Sequence, residues 1–237
     1  MNGHERLQNA AKASREGRHE EALQEFIWFH HHALEEEPSL YGVRLSFALG
    51  YWTELGQVYP KALDALRAIR KDKAEALLRG DAGLEWFRDV MAIDRELGNT
   101  TLTYQLYVAL AESCPALATE CARAALPAIV AAKDYALAAR LMPPPEPLLR
   151  QRAIMLEHDI GRIKHRPVTR APARWATIFN YVDEVKRLVT ILAGNEDFAE
   201  ATRIKALAIS VIKSPSVRRD VAAQFIKPSK PPRSSRR

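Results

Sequence analysis

The 237-residue chain has only two cysteines, ten glycines and 8% aromatic residues, and runs of β-branched residues are almost absent. Each scarcity excludes something. Without β-branched runs there is nothing to build a sheet from, and a composition led by Ala, Leu, Arg and Glu, with glycine confined to apparent turns, favours helix nearly everywhere. Cys114 and Cys121 stand seven residues apart. On a helix that places them on one face about two turns apart, too far to bridge, so they read as reduced core or half-buried thiols. No stretch approaches the roughly 18 consecutive apolar residues of a membrane span. The polar start MNGHERLQ has no apolar signal core behind it. The expectation is a cytoplasmic protein, bacterial in style, with no membrane contact. A Gly-rich phosphate loop, H-E-x-x-H, G-x-S-x-G and paired-cysteine zinc motifs are all missing. No catalytic residue, cofactor or metal ligand is therefore nominated.

What the chain does have is helical periodicity broken at regular places. From about His4 to Glu36 it reads as a helical pair with its break at Gly17. Ala22, Leu23, Phe26, Phe29, Ala33 and Leu34 form one apolar stripe on the second helix, and Pro38 stops it. A second pair runs from about Leu40 to Leu78, its first helix carrying Val43, Phe47, Ala48, Tyr51, Trp52 and Leu55. Gly56 marks its turn, Pro60 sits in the first turn of the next helix, and Gly80 closes the pair. A third pair runs from about Leu84 to Glu112, with a Gly98-Asn99 turn and Thr100 or Thr101 as cap. A fourth, over Pro115–Leu141, has a kink or break at Pro127 and a turn at Lys133-Asp134-Tyr135. Pro143-Pro144-Pro145 is a hard stop before a helix from about Glu146 to Lys164.

Residues 161–174 hold five basic side chains, no acid and two prolines, and read as an extended connector. A last hairpin follows over residues 175–226: Trp175–Leu192, a Gly194-Asn195 turn, Asp197–Ile212, then a short helix. The tail over 227–237, KPSKPPRSSRR, has nothing to bury and is expected to be disordered. Charge follows the same division. Residues 1–160 contain 18 Lys/Arg and 23 Asp/Glu, whereas residues 161–237 contain 17 and 6, so an acidic body precedes a basic end.

Gly17, His19, Ala22, Phe26 and Pro38 alternate small and large residues so that antiparallel helices can mesh. Lys133-Asp134-Tyr135-Ala136-Leu137-Ala138 and Glu196-Asp197-Phe198-Ala199-Glu200-Ala201 echo the same turn and helix start. In these residues the chain resembles tetratricopeptide-type helical repeat proteins. The pattern departs from that family's period of about 34 residues: the turn glycines at 17, 56, 98 and 194 are spaced 39, 42 and 96 apart. Ala22 to Pro38 is also about one helical turn too long. The resemblance covers roughly residues 4–160. It implies an all-α, right-handed helix-hairpin solenoid of about twelve helices whose groove docks a peptide or protein segment, without catalysis.

If that geometry holds, the first helix of each pair lines the concave surface, and Arg15, Arg44, Arg88 and Arg95 are its groove candidates. Arg88 and Arg95, seven apart, share a face suited to gripping carboxylates. An alternative is nucleic-acid association through Arg162, Lys164, Arg166, Arg170 and Arg174, for which phosphate contact is plausible but base-stacking aromatics are sparse. A third reading, metal-dependent chemistry at His30-His31-His32, has to contend with consecutive helical residues pointing about 100° apart, so that three cannot converge on one ion. Trp28, Trp52, Trp86, Tyr104 and Tyr107 read as core before they read as a pocket.

Overall fold

The computed structural model describes residues 2–163 and 167–226, with side chains except at 167–170. These residues form thirteen α-helices and a single 3-10 turn, with no strand among them. No described helix is long and apolar enough to cross a membrane. The chain divides into two compact units, Met1–Ala128 and Ile129–Arg237.

The first unit begins with α1 (Gly3–Arg15) and α2 (His19–Glu36), followed by the 3-10 turn Pro38–Leu40, α3 (Tyr41–Arg44) and α4 (Phe47–Val58). It continues through α5 (Pro60–Arg79), α6 (Leu84–Glu96), α7 (Thr100–Ser113) and α8 (Pro115–Ala131), within which the division falls. From α1 to α7 consecutive helices pack on each other, and α4 also packs on α1 and α6, as α5 does on α7. Phe26, Phe29, Leu49, Trp52, Leu66 and Ile93 are fully buried between them. The indole of Trp52 donates to Ala62 O at 2.8 Å, which satisfies its polar edge inside the core.

The second unit contains α9 (Tyr135–Leu141), α10 (Pro145–Arg162), α11 (Pro167–Gly194), α12 (Phe198–Ser210) and α13 (Pro215–Ile226). Leu149, Ala153 and Leu156 of α10 pack with Val182, Val185 and Leu188 of α11 and Ile204 and Ala208 of α12. That shared core is why the division lies ahead of α10 and not at residues 161–174. Nor is that stretch an extended connector throughout: α10 ends at Arg162 and α11 already begins at Pro167, eight residues ahead of Trp175. Proline is tolerated in a helix's first turn, where its missing N–H would have had no partner.

Five of the described turns close in the same way. At Gly17, Gly80, Gly98, Lys133 and Glu196 the backbone is left-handed, with φ between 60° and 79°. In each case the next N–H reaches back five residues to a carbonyl of the preceding helix: Arg18 to Ala13, Asp81 to Ala76, Asn99 to Asp94, Asp134 to Ile129 and Asp197 to Leu192, at 2.8–3.2 Å. This is the Schellman closure. The two echoed segments are alike beyond that, since Asp134 and Asp197 accept from the N–H groups of Leu137 and Glu200 and so cap α9 and α12.

Three turns differ from the pattern expected. Gly56 lies inside α4, and the chain turns at Tyr59 instead, with Pro60 opening α5. Asn99 occupies the cap position before α7, ahead of Thr100. α8 runs unbroken through Pro127, flanked by the buried Ala125, Leu126, Ala128 and Ile129. The burial of several such side chains outweighs a cost of about 3 kcal/mol for the lost hydrogen bond and clash.

Gly194 is required by proximity. A Cβ there would lie 2.2 Å from Cγ of Tyr135, while Asn195 donates to the Tyr135 carbonyl at 2.8 Å and fixes the approach. Gly194→Ala should therefore lower stability to urea by about 1–3 kcal/mol, the usual cost of overpacking. In a Tyr135→Ala background the same change should be neutral or stabilising. Equal losses in both backgrounds would contradict this account.

Candidate functional site

The polar interior of the first unit is held by Asp89 of α6, which is 2% exposed. Arg44 of α3 grips it with both arms, Nη2 to Oδ1 at 2.5 Å and Nη1 to Oδ2 at 3.1 Å, and Nη1 also donates to the carbonyl of His30 on α2 at 3.3 Å. Lys73 of α5 reaches Oδ2 at 2.6 Å, its ammonium 4.6 Å from the ring centre of Trp86. Burial by itself would raise the Asp89 pKa, but the hydrogen bonds and charges of Arg44 and Lys73 outweigh it and hold the carboxyl below its ordinary value. A second buried carboxylate, Asp94, accepts from Arg70 Nε at 2.9 Å and Thr103 Oγ1 at 2.8 Å, joining α5, α6 and α7.

His30 lies beside this cluster, 4% exposed, its ring edge-on to those of His31 and Trp52. Neither ring nitrogen has a hydrogen-bond partner among the described residues. Burial, followed by the positive charges of Arg44 and Lys73, pushes its pKa down to about 3, with Asp89 opposing. His31 is exposed, and His32 pairs with Glu35 at 3.2 Å. The three rings do not converge, and the described residues hold no group of three metal-ligating side chains.

On the surface of the same unit, a trough of about 690 Å³ runs between α1 and the α3–α4 segment. One wall is the α1 face at four- and three-residue steps, His4, Gln8, Ala11, Lys12 and Arg15, with Leu7 below it. The other wall is Val43, Phe47 and Tyr51, four residues apart. These three were expected in one stripe with Ala48, Trp52 and Leu55. The structure splits that stripe: Ala48, Leu49, Trp52 and Leu55 face the core, whereas Phe47 is 67% exposed and Tyr51 39%. α4 is apolar on two sides and has a buried neighbour on only one.

Comparison with known proteins adds no relative: no protein-family model, no curated protein and no solved structure matches the chain.

The four groove arginines are not brought together. Arg15 lines the trough and makes no ion pair with any described residue. Arg44 is a correction: it is buried, and Asp89 occupies the fork that was to hold a partner's carboxylate. Arg88 is partly exposed and pairs with Glu85 at 2.7 Å. Arg95 donates to Leu45 O at 2.6 Å and to Glu96 at 3.0 Å, tying the end of α6 to the link between α3 and α4. Of the basic stretch, Arg162 is exposed at the end of α10, and Arg174 is engaged by Asp220 at 2.6 Å. Lys164, Arg166 and the side chain of Arg170 lie outside the described residues. Among the aromatics, Trp52 and Tyr107 are core, while Trp28 is half-buried with Arg6 stacked 3.8 Å over its ring. Trp86 remains 41% exposed.

Sequence reasoning missed Asp89, Lys73, Asp94 and Lys12. One signal was available: Asp89 and Asp94 adjoin the apolar positions 90 and 93 of α6, on the side that faces inward.

Asp89→Ala leaves Arg44 and Lys73 buried without a counter-ion and should cost about 3–5 kcal/mol in urea unfolding. His30 stays neutral when folded but binds a proton in the unfolded chain, whose ordinary value is 6.5. Its contribution to stability is complete above about pH 6.5 and is lost as pH falls from there towards 3, by up to about 1.4 kcal/mol per unit. His30→Phe should flatten the stability–pH curve in that window and leave the Asp89 limb below it; an unchanged slope would refute the assignment.

Proposed function

We propose that the Met1–Ala128 unit is a non-catalytic interaction module, a divergent tetratricopeptide-like array of helical hairpins that takes a peptide or protein segment into the trough between α1 and α4. The observation that carries this reading is the exposure of Phe47 and Tyr51, in a row, on the wall of a trough lined by the first helices of successive hairpins. Phe198 and Ile154 are as exposed as Phe47, but Phe47 and Tyr51 line one trough wall together with Val43, and contiguous apolar surface is a mark of interaction sites.

Packing supports the array. First helices contact first helices, α1 with α4 and α4 with α6, and second helices α5 and α7 contact each other. Each hairpin thus rests on the next, as in repeat proteins whose concave face is built from one helix per repeat. The non-catalytic part of the reading is supported by the disposition of the buried charges: Asp89 and Asp94 are saturated by Arg44, Lys73, Arg70 and Thr103. Groups so engaged hold helices together and are not poised to move protons.

A test uses the intact protein as bait from its host's lysate beside Phe47→Asp, with melting temperatures recorded for both. A protein retained by the wild type and lost with Phe47→Asp, at a melting temperature within about 2 °C, is the expected result. Identical captured sets from the two baits would reject the trough as the binding surface.

A further inference from the structure

We infer that the segment taken into the trough is an amphipathic helix with carboxylates flanking its apolar stripe; this rests on the interaction reading above and specifies its occupant. The first argument is charge. Residues 1–128 carry 14 Lys/Arg against 19 Asp/Glu, yet no carboxylate lines the trough. Its charged side chains are Lys12 and Arg15, on one wall. Lys12 is held only loosely, by Glu16 at 3.8 Å, and Arg15 is in no ion pair among the described residues. Two exposed cations beside an aromatic row, one of them only loosely paired and both on a unit of opposite net sign, make a local site for a ligand with few negative charges and a greasy face. A polyanion such as single-stranded nucleic acid would find the same two cations but be repelled by the unit as a whole. The chain's own residues 227–237 contain basic side chains and no acid, so they have the wrong sign to fill the trough.

The second argument concerns backbone. From His4 to Arg15 the α1 wall is about 16 Å long, three helical turns. The opposite wall offers Val43 and Phe47, which present no hydrogen-bonding group, and a single phenol at Tyr51. An extended segment laid there would bring unpaired N–H and C=O groups against an apolar surface. A helix carries its backbone partners with it, and its side chains at four-residue steps match the spacing of 43, 47 and 51 on the α3–α4 wall. The acidic flank would then lie towards α1 and the apolar stripe towards α3–α4.

The experiment titrates the full-length protein into three fluorescein-labelled probes, read by anisotropy at low salt: a 16-residue amphipathic helical peptide with Leu and Phe on one face and Glu beside it, the same peptide with Lys for Glu, and a single-stranded oligonucleotide of mixed sequence. The Glu peptide should bind at least about tenfold more tightly than the Lys peptide, and the double variant Lys12→Glu/Arg15→Glu should reverse that order. Reversal is a readout that mere structural damage does not produce. Phe47→Asp should weaken the Glu peptide by about tenfold or more. If both peptides bind alike and Phe47→Asp abolishes both, the acidic occupant is wrong while the trough stands. If the Glu peptide binds but Phe47→Asp leaves it unmoved, or if it fails to bind at about 100 μM, the inference is overturned. It is overturned too if the oligonucleotide binds more tightly than the Glu peptide. Sedimentation of the unliganded protein covers the remaining occupant: a dimer dispersed by Phe47→Asp would give the trough to a second copy and remove the peptide.

Discussion

Asp89 is the point on which the first unit is organised. Its two oxygens take the guanidinium of Arg44 and the ammonium of Lys73, and Arg44 continues to the His30 carbonyl. Four helices, α2, α3, α5 and α6, thus meet at one buried carboxylate. Desolvating three charges is expensive, and attraction in the interior offsets the cost only when geometry is good and each remaining donor or acceptor is nearly satisfied. A bidentate arginine fits the two carboxylate oxygens in one orientation only, here with Arg44 Nε left buried and without a partner among the described residues. The arrangement therefore acts less as a source of stability than as a fix on position. Arg44 points inward from the four-residue α3, and its neighbour Val43 is thereby set on the trough wall, with Phe47 and Tyr51 following at four-residue steps. The second network repeats this further along, Asp94 holding Arg70 of α5 and Thr103 of α7. α6 contributes both carboxylates, five residues apart, and so serves as the spine to which neighbouring helices are keyed.

Much of this frame was legible in the sequence, because helix stripes and turn chemistry are local. Gly17, Gly80 and Gly98 mark left-handed closures where they were expected, and the echoed segments at 133–138 and 196–201 fold alike down to their aspartate caps. What was not legible depended on distance along the chain. Arg44 and Asp89 are 45 residues apart, and nothing near either residue announces the other. An arginine off the apolar stripe defaults to solvent, which is how Arg44 was assigned to a groove it does not line. Phe47 and Tyr51 failed in the opposite direction. Apolar residues at helical spacing default to core, and only the packed structure shows that α4 has more apolar surface than it has neighbours. The turn at Tyr59 was obscured in turn by Gly56, whose small size admits Leu63, the nearest side-chain atom lying 2.4 Å from where its Cβ would be. Glycine there serves helix approach and leaves the chain direction unchanged.

Lys133 and Glu196 show the limit of reading turns from composition. Both adopt left-handed backbone without being glycine, a conformation that costs a residue with a Cβ about 1 kcal/mol or more. The turn nevertheless closes with the same back-bonded N–H as at Gly17 and Gly98. At the second of these positions the geometry is over-determined: Asn195 bonds both the Ile191 and Tyr135 carbonyls, and Tyr135 lies against Gly194. Tertiary contact selects the backbone conformation, and residue preference only modulates its cost.

The same division of labour separates framework from recognition in the first unit. The charges that fix helix positions, three cations against two carboxylates, are paired with one another and withdrawn from the surface. On the proposed reading, the groups left to act on a partner are an aromatic row and two exposed cations on α1. Apolar area supplies most of the affinity such a surface can offer, at roughly 25 cal/mol per Å² before the cost of association is subtracted. Exposed cations mainly set the rate of encounter and the sign of what is accepted. On the reading proposed above, Asp89 fixes the α3–α4 wall of the trough from inside, and Lys12 and Arg15 at the rim would set the sign of charge it prefers. Because those cations lie outside the buried ion network, substitution at the rim leaves that network intact, whereas any change at Asp89 alters the frame that holds the α3–α4 wall.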